Sequence, residues 1–173
     1  MNQISKVFLA CACSLSGLTI QAQDHTAWSN DFSNTSQPLN VVGRGICRVS
    51  EGLFLSRSAY ARFGNPEWRN YTLSFKARAP KDAEQVQIWA GFRTHNRFDR
   101  YVVGIKGGLQ DDIYLMRTGY MGTDEFLGVR PLGFHPVPGE WYKVKVEVCG
   151  NRIRVFVNDE KLPHIDLEDK NGN

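Results

Sequence analysis

The residues best suited to chemistry lie between positions 87 and 93. Gln87, Trp89 and Arg93 fall on alternate positions, with Gly91 between the last two. If this stretch is extended, alternation sets all four on one face of a strand. A glycine on such a face removes a side chain and opens a trough. A flat indole beside amide and guanidinium groups is what sugar recognition requires: the ring stacks on a pyranose face while the polar groups bond its hydroxyls. Gly104, between Val102 and Lys106, opens the same kind of gap on a neighbouring strand. Tyr114, Arg117 and Tyr120 extend the surface if the strands pair in sequence order. Arg97 stands above it in the polar loop 94–100, which otherwise reads as an ordinary solvated connection. The plainer alternative is a tryptophan packed beneath a loop with the arginine capping it.

Other chemistries lack their residues. Glycoside cleavage needs two carboxyl groups facing one another across the scissile bond. The adjacent pairs Asp111-Asp112 and Asp124-Glu125 point to opposite faces of a strand instead. His25, His95, His135 and His164 lie apart in sequence without zinc-type spacing, so no metal site is expected. There is no Gly-x-Ser-x-Gly elbow and no glycine-rich phosphate loop.

The elements that must position these residues alternate with period two. Tyr71, Leu73, Phe75 and Ala77 form one apolar row, and Val86, Ile88, Ala90 and Phe92 form another. Tyr101, Val103 and Ile105 follow, and residues 112–118 read as a further strand. Tyr142, Val144, Val146 and Val148 return through a Gly150-Asn151 turn to Ile153, Val155 and Val157, a hairpin in outline. Residues 31–33, 39–49, 53–57 and 162–167 are weaker candidates. About nine or ten short strands with one polar side predict an all-β fold, an antiparallel two-sheet sandwich of jelly-roll type.

The chain has 173 residues, 42% hydrophobic and 23% charged, which suits one globular domain rather than a disordered chain. The net charge of +3, without a basic run, is too mild to imply a nucleic-acid partner, and none is expected. Residues 1–22 have the order of an export signal: Lys6, then an uncharged stretch, then a small residue before a cut between Ala22 and Gln23. The domain then spans residues 23–173, located in the periplasm, at the cell surface or outside the cell. Cys47 and Cys149 remain, an even pair for which a disulfide is expected over two free thiols.

The segments Trp68-Arg69-Asn70-Tyr71-Thr72-Leu73-Ser74-Phe75, Ala90-Gly91-Phe92-Arg93 and Arg100-Tyr101-Val102-Val103-Gly104 resemble the concanavalin-A-like or laminin-G-like jelly rolls. The hairpin opened by Gly139-Glu140-Trp141 and closed by Val157-Asn158 is the best match. The nearest likeness is to bacterial domains labelled 3-keto-disaccharide hydrolase, and to modules after the signal peptide of exported beta-galactosidase-type glycosidases. The resemblance implies a carbohydrate-interacting module, with an oligo- or polysaccharide as partner and a catalytic domain further along the same chain. Its alternatives are a glycoside-cleaving enzyme of the 3-keto-disaccharide type and a purely structural brace. Calcium is common in the superfamily and would use loop aspartates such as Asp111 and Asp112, but no EF-hand-like run supports it, so no cofactor is expected. Set against such jelly rolls, the sequence also lacks closing C-terminal strands, which leaves residues 27–34 without a partner and a sheet edge open.

Overall fold

A computed structural model of the chain describes residues 7–9, 13–22, 27–30, 32, 40–42, 46–49, 52–55, 60–64, 68–94, 99–119 and 123–170. In chain order its strands are β1 (Val7–Leu9), β2 (Cys13–Ala22), β3 (Ala27–Asn30), β4 (Asn40–Val42) and β5 (Ile46–Val49). Next come β6 (Gly52–Leu55), β7 (Tyr60–Phe63), β8 (Tyr71–Arg78), β9 (Gln87–Phe92) and β10 (Arg100–Lys106). The last are β11 (Asp112–Thr118), β12 (Glu125–Pro131), β13 (Tyr142–Cys149), β14 (Arg152–Val157) and β15 (Ile165–Glu168). Among the described residues there is no helix.

The strands form two antiparallel sheets packed face to face, a jelly-roll-like β-sandwich. One sheet runs β12-β11-β10-β9-β1-β7-β4 and the other β15-β14-β13-β8-β2-β6-β5, with β3 paired to β2. The period-two rows explain the packing. Leu73, Ala77, Val146, Ile153 and Val155 from one sheet and Ile88, Ala90, Val103, Ile105 and Leu115 from the other are fully or almost fully buried in one core. Burying each large side chain contributes about 1.5–3 kcal/mol, so the alternation itself holds the register. The predicted hairpin is present: Cys149 pairs with Arg152, and Gly150 turns at φ +55°. A left-handed φ of that kind suits a two-residue turn.

Three expectations change. Residues 13–22, part of the 1–22 segment read as a leader, form β2, which pairs with β8 along its length and brings Ile20 into the core. A cut after Ala22 and membership of this sheet exclude one another in a single molecule. The second change concerns the open edge expected near residues 27–34. β3 has a partner, because Leu18 pairs with Asn30 and Gln21 with Ala27.

The third is the disulfide, which does not form: Cys149 is an exposed free thiol. Cys47 sits on β5, four strands from β13 in the order β13-β8-β2-β6-β5. At about 4.8 Å per strand the backbones stand about 19 Å apart. A disulfide needs Cα atoms within about 7 Å.

Candidate functional site

On the outer face of the seven-stranded sheet, strand register sets side chains in rows. Gln87 pairs with Lys106, and Lys106 with Asp112. One step along, Trp89 pairs with Gly104, Gly104 with Tyr114 and Tyr114 with Val129. Another step gives Gly91, Val102, Met116 and Phe126. Rows two residues apart are separated by about 6.6 Å.

The rows enclose a groove of about 510 Å³ lined by Gln87, Trp89, Lys106, Gln110, Asp112, Tyr114, Met116, Asp124, Phe126 and Val129. That volume lies in the range of about 300–1,000 Å³ usual for small-molecule sites. Trp89 is 42% exposed, Phe126 63% and Val129 41%, so three of the six large hydrophobic side chains that face solvent among the described residues converge on this groove. Such convergence, rimmed by polar groups, marks a recognition surface.

Gly104 serves the groove differently from the expectation. A Cβ there would lie 2.3 Å from Cζ of Tyr114. The gap left by the glycine is filled by the tyrosine ring, which is itself nearly buried and meets Phe126 edge-on at 5.7 Å between centroids. Gly104 therefore lays Tyr114 flat as the groove floor, while Trp89 and Phe126 stand as its walls.

No protein-family profile matches the chain, and neither a curated protein nor a solved structure matches it. The fold and the groove carry the functional reading.

Of the residues singled out from sequence, Gln87, Trp89 and Tyr114 meet in the groove. Arg93 does not. β9 ends at Phe92, and Arg93 turns out of the strand with φ +46°. Its guanidinium is buried and donates to the carbonyls of Arg69 and Gly150, while its backbone N–H donates to the Tyr71 hydroxyl at 3.1 Å. It ties the end of β9 to the opposite sheet. Burial pushes the Tyr71 phenol well above its ordinary pKa.

Arg117 also departs from expectation. It pairs with Tyr101, one residue out of phase with Met116, and so points to the inner side. Arg117 Nη1 donates to Asp169 Oδ2 at 3.2 Å and Nη2 to Glu125 Oε2 at 2.7 Å. Tyr101 donates to the same Asp169 oxygen at 2.7 Å, joining β10 and β11 to the chain after β15. Burial, and then the hydrogen bond to Asp169, push the Tyr101 phenol up to about 12. Arg97 and Tyr120 lie outside the described residues. Trp141 is covered by the Arg78 guanidinium at 4.6 Å and stays away from the groove.

Each adjacent acidic pair splits between two environments. Asp111 binds the Nδ1 of His135 at 2.9 Å and accepts from Gly108 N–H, and the His135 hydrogen bond holds its carboxyl below the usual range. Asp112 lines the groove, and both aspartates line a neighbouring pocket with Gln110 and Phe134. Likewise Glu125 pairs with Arg117 while Asp124 lines the groove. Sequence reasoning missed that one acid from each pair reaches the same surface. Glu125 is level with Arg117, which places Asp124 level with Thr118, six residues along β11 from Asp112. Their backbones are thus about 20 Å apart, whereas glycosidase carboxyl pairs stand about 5–9.5 Å apart. Among the described residues no group of three His, Cys, Asp or Glu side chains could hold a metal ion.

Proposed function

We propose that the chain is a carbohydrate-interacting β-sandwich module. Its outer groove holds an oligo- or polysaccharide for a glycoside hydrolase catalytic domain of the same protein. The observation that carries this reading is the half-exposed Trp89, set beside Gln87, Lys106 and Asp112 in the groove. An indole face next to amide, ammonium and carboxylate groups supplies both halves of sugar recognition, stacking and hydroxyl bonding. The wide spacing of Asp112 and Asp124 supports holding the sugar rather than cleaving it.

Titration of the wild-type chain against a glycan panel, repeated with Trp89→Ala, tests the proposal. Loss of the indole is expected to weaken the best ligand by at least about tenfold, as removal of a central aromatic anchor does. A Trp89→Ala chain with intact fold and affinity removes the groove from contention. Absence of any binding across the panel points to the bracing role instead.

A further inference from the structure

We infer that the preferred ligand is a glycoside carrying an apolar aglycone, with its sugar over Trp89 and the aglycone over Met116 and Phe126. This rests on the carbohydrate reading of the same groove and adds the ligand's chemical class.

The inference comes from the order of the rows. At one end Gln87, Lys106 and Asp112 offer donors and acceptors in register, and Gln110 joins them from the adjacent turn. The middle row presents Trp89 above the Tyr114 floor. At the far end the groove is walled by a thioether and a phenyl ring, with Phe126 63% exposed, and the Asp124 carboxylate lines it beyond them. Polar and apolar ends are two row spacings apart, about 13 Å. A single pyranose over Trp89 reaches the polar row and leaves the far row open. Sugar hydroxyls laid on Met116 and Phe126 would give up water with a single carboxylate, Asp124, to replace it, which is unfavourable for a ring bearing several hydroxyls. An alkyl or aryl group placed there gains by burial against both side chains.

Calorimetric titration with methyl, n-butyl and phenyl glycosides of the same sugar, for several hexoses, tests this. A disaccharide of each sugar serves as the comparison. Butyl and phenyl glycosides are expected to bind tighter than the methyl glycoside by on the order of tenfold or more. Phe126→Ala should flatten that series, so that butyl and phenyl glycosides bind no tighter than the methyl glycoside, whereas Trp89→Ala should weaken every member and keep their ranking. Two results overturn the inference while the carbohydrate reading survives. One is a disaccharide that gains affinity where butyl and phenyl groups gain none. The other is an aglycone preference that persists in Phe126→Ala. No binding by any glycoside overturns both.

Discussion

Gly104→Ala would separate the packing of the groove floor from the stability of the sheet. A Cβ at position 104 meets Tyr114 Cζ at 2.3 Å, its hydroxyl oxygen at 2.4 Å and Cε1 at 2.7 Å. Ordinary contact begins near 3.4 Å, so the ring must retreat by 3.4 − 2.3 Å, more than an ångström. Overpacking of this kind costs about 1–3 kcal/mol. Replacing glycine inside a strand gives back about 0.5–1 kcal/mol of backbone entropy. The net loss is therefore about 0–2.5 kcal/mol, a fall in Tm of up to about 10 °C for a chain of this length. The displaced ring also enters the groove, so affinity for the best glycan should drop with stability. A double-mutant cycle isolates the cause. In a Tyr114→Ala background the alanine at 104 has no ring to meet, and Gly104→Ala should become neutral or slightly stabilising. Urea denaturation of the four chains measures the coupling. Equal costs of Gly104→Ala in both backgrounds would refute the placement of Tyr114 over Gly104.

Three further expectations follow from the same structure. Arg93→Ala should destabilise the chain by about 1.5–3 kcal/mol, the usual loss for charged hydrogen bonds, and leave glycan affinity of the folded protein unchanged; a stable variant with lost affinity would return Arg93 to the site. Deleting residues 1–22 removes β1 from between β9 and β7, and β2 from between β8 and β6. The remaining chain should lose its cooperative melt, and a cooperative monomer starting at Gln23 would instead assign those residues to a dispensable leader. Tyr101 has a folded pKa of about 12 against an ordinary 10.0, so the unfolded chain releases this proton first as pH rises. Stability from Tyr101 should be complete below pH 10 and decline towards pH 12, followed as Tm against pH. Tyr101→Phe should flatten part of that slope, and an unchanged slope would place the titration elsewhere.

Much of the sandwich was legible in the sequence. Tyr71, Leu73, Phe75 and Ala77 alternate because half of β8 faces the core, and the same holds for β9, β10, β13 and β14. Period two is the direct imprint of one-sided burial. β12 escaped notice for the converse reason. It is an edge strand exposed along much of its length, with Gly128 and Pro131 within it. Gly128 is explained only across the sheets, where an added Cβ would come within 3.3 Å of Ile165. Missing β12 meant missing Phe126 and Val129, and with them the apolar end of the groove.

The sequence by itself determined the faces. Gln87 and Trp89 share one because they are two residues apart on a single strand, and the same parity sets Arg117 opposite Tyr114. It did not determine where a strand stops. The break at Phe92 turns Arg93 away from Trp89, because alternation assigns a side only while the backbone stays extended. Nor did it determine which rows come level. Whether Trp89 lies beside Gly104, and Gly104 beneath Tyr114, depends on interstrand register, and register is chosen by the buried faces of every strand together. The groove, the separation of Asp112 from Asp124 and the distance between Cys47 and Cys149 all belong to that collective choice.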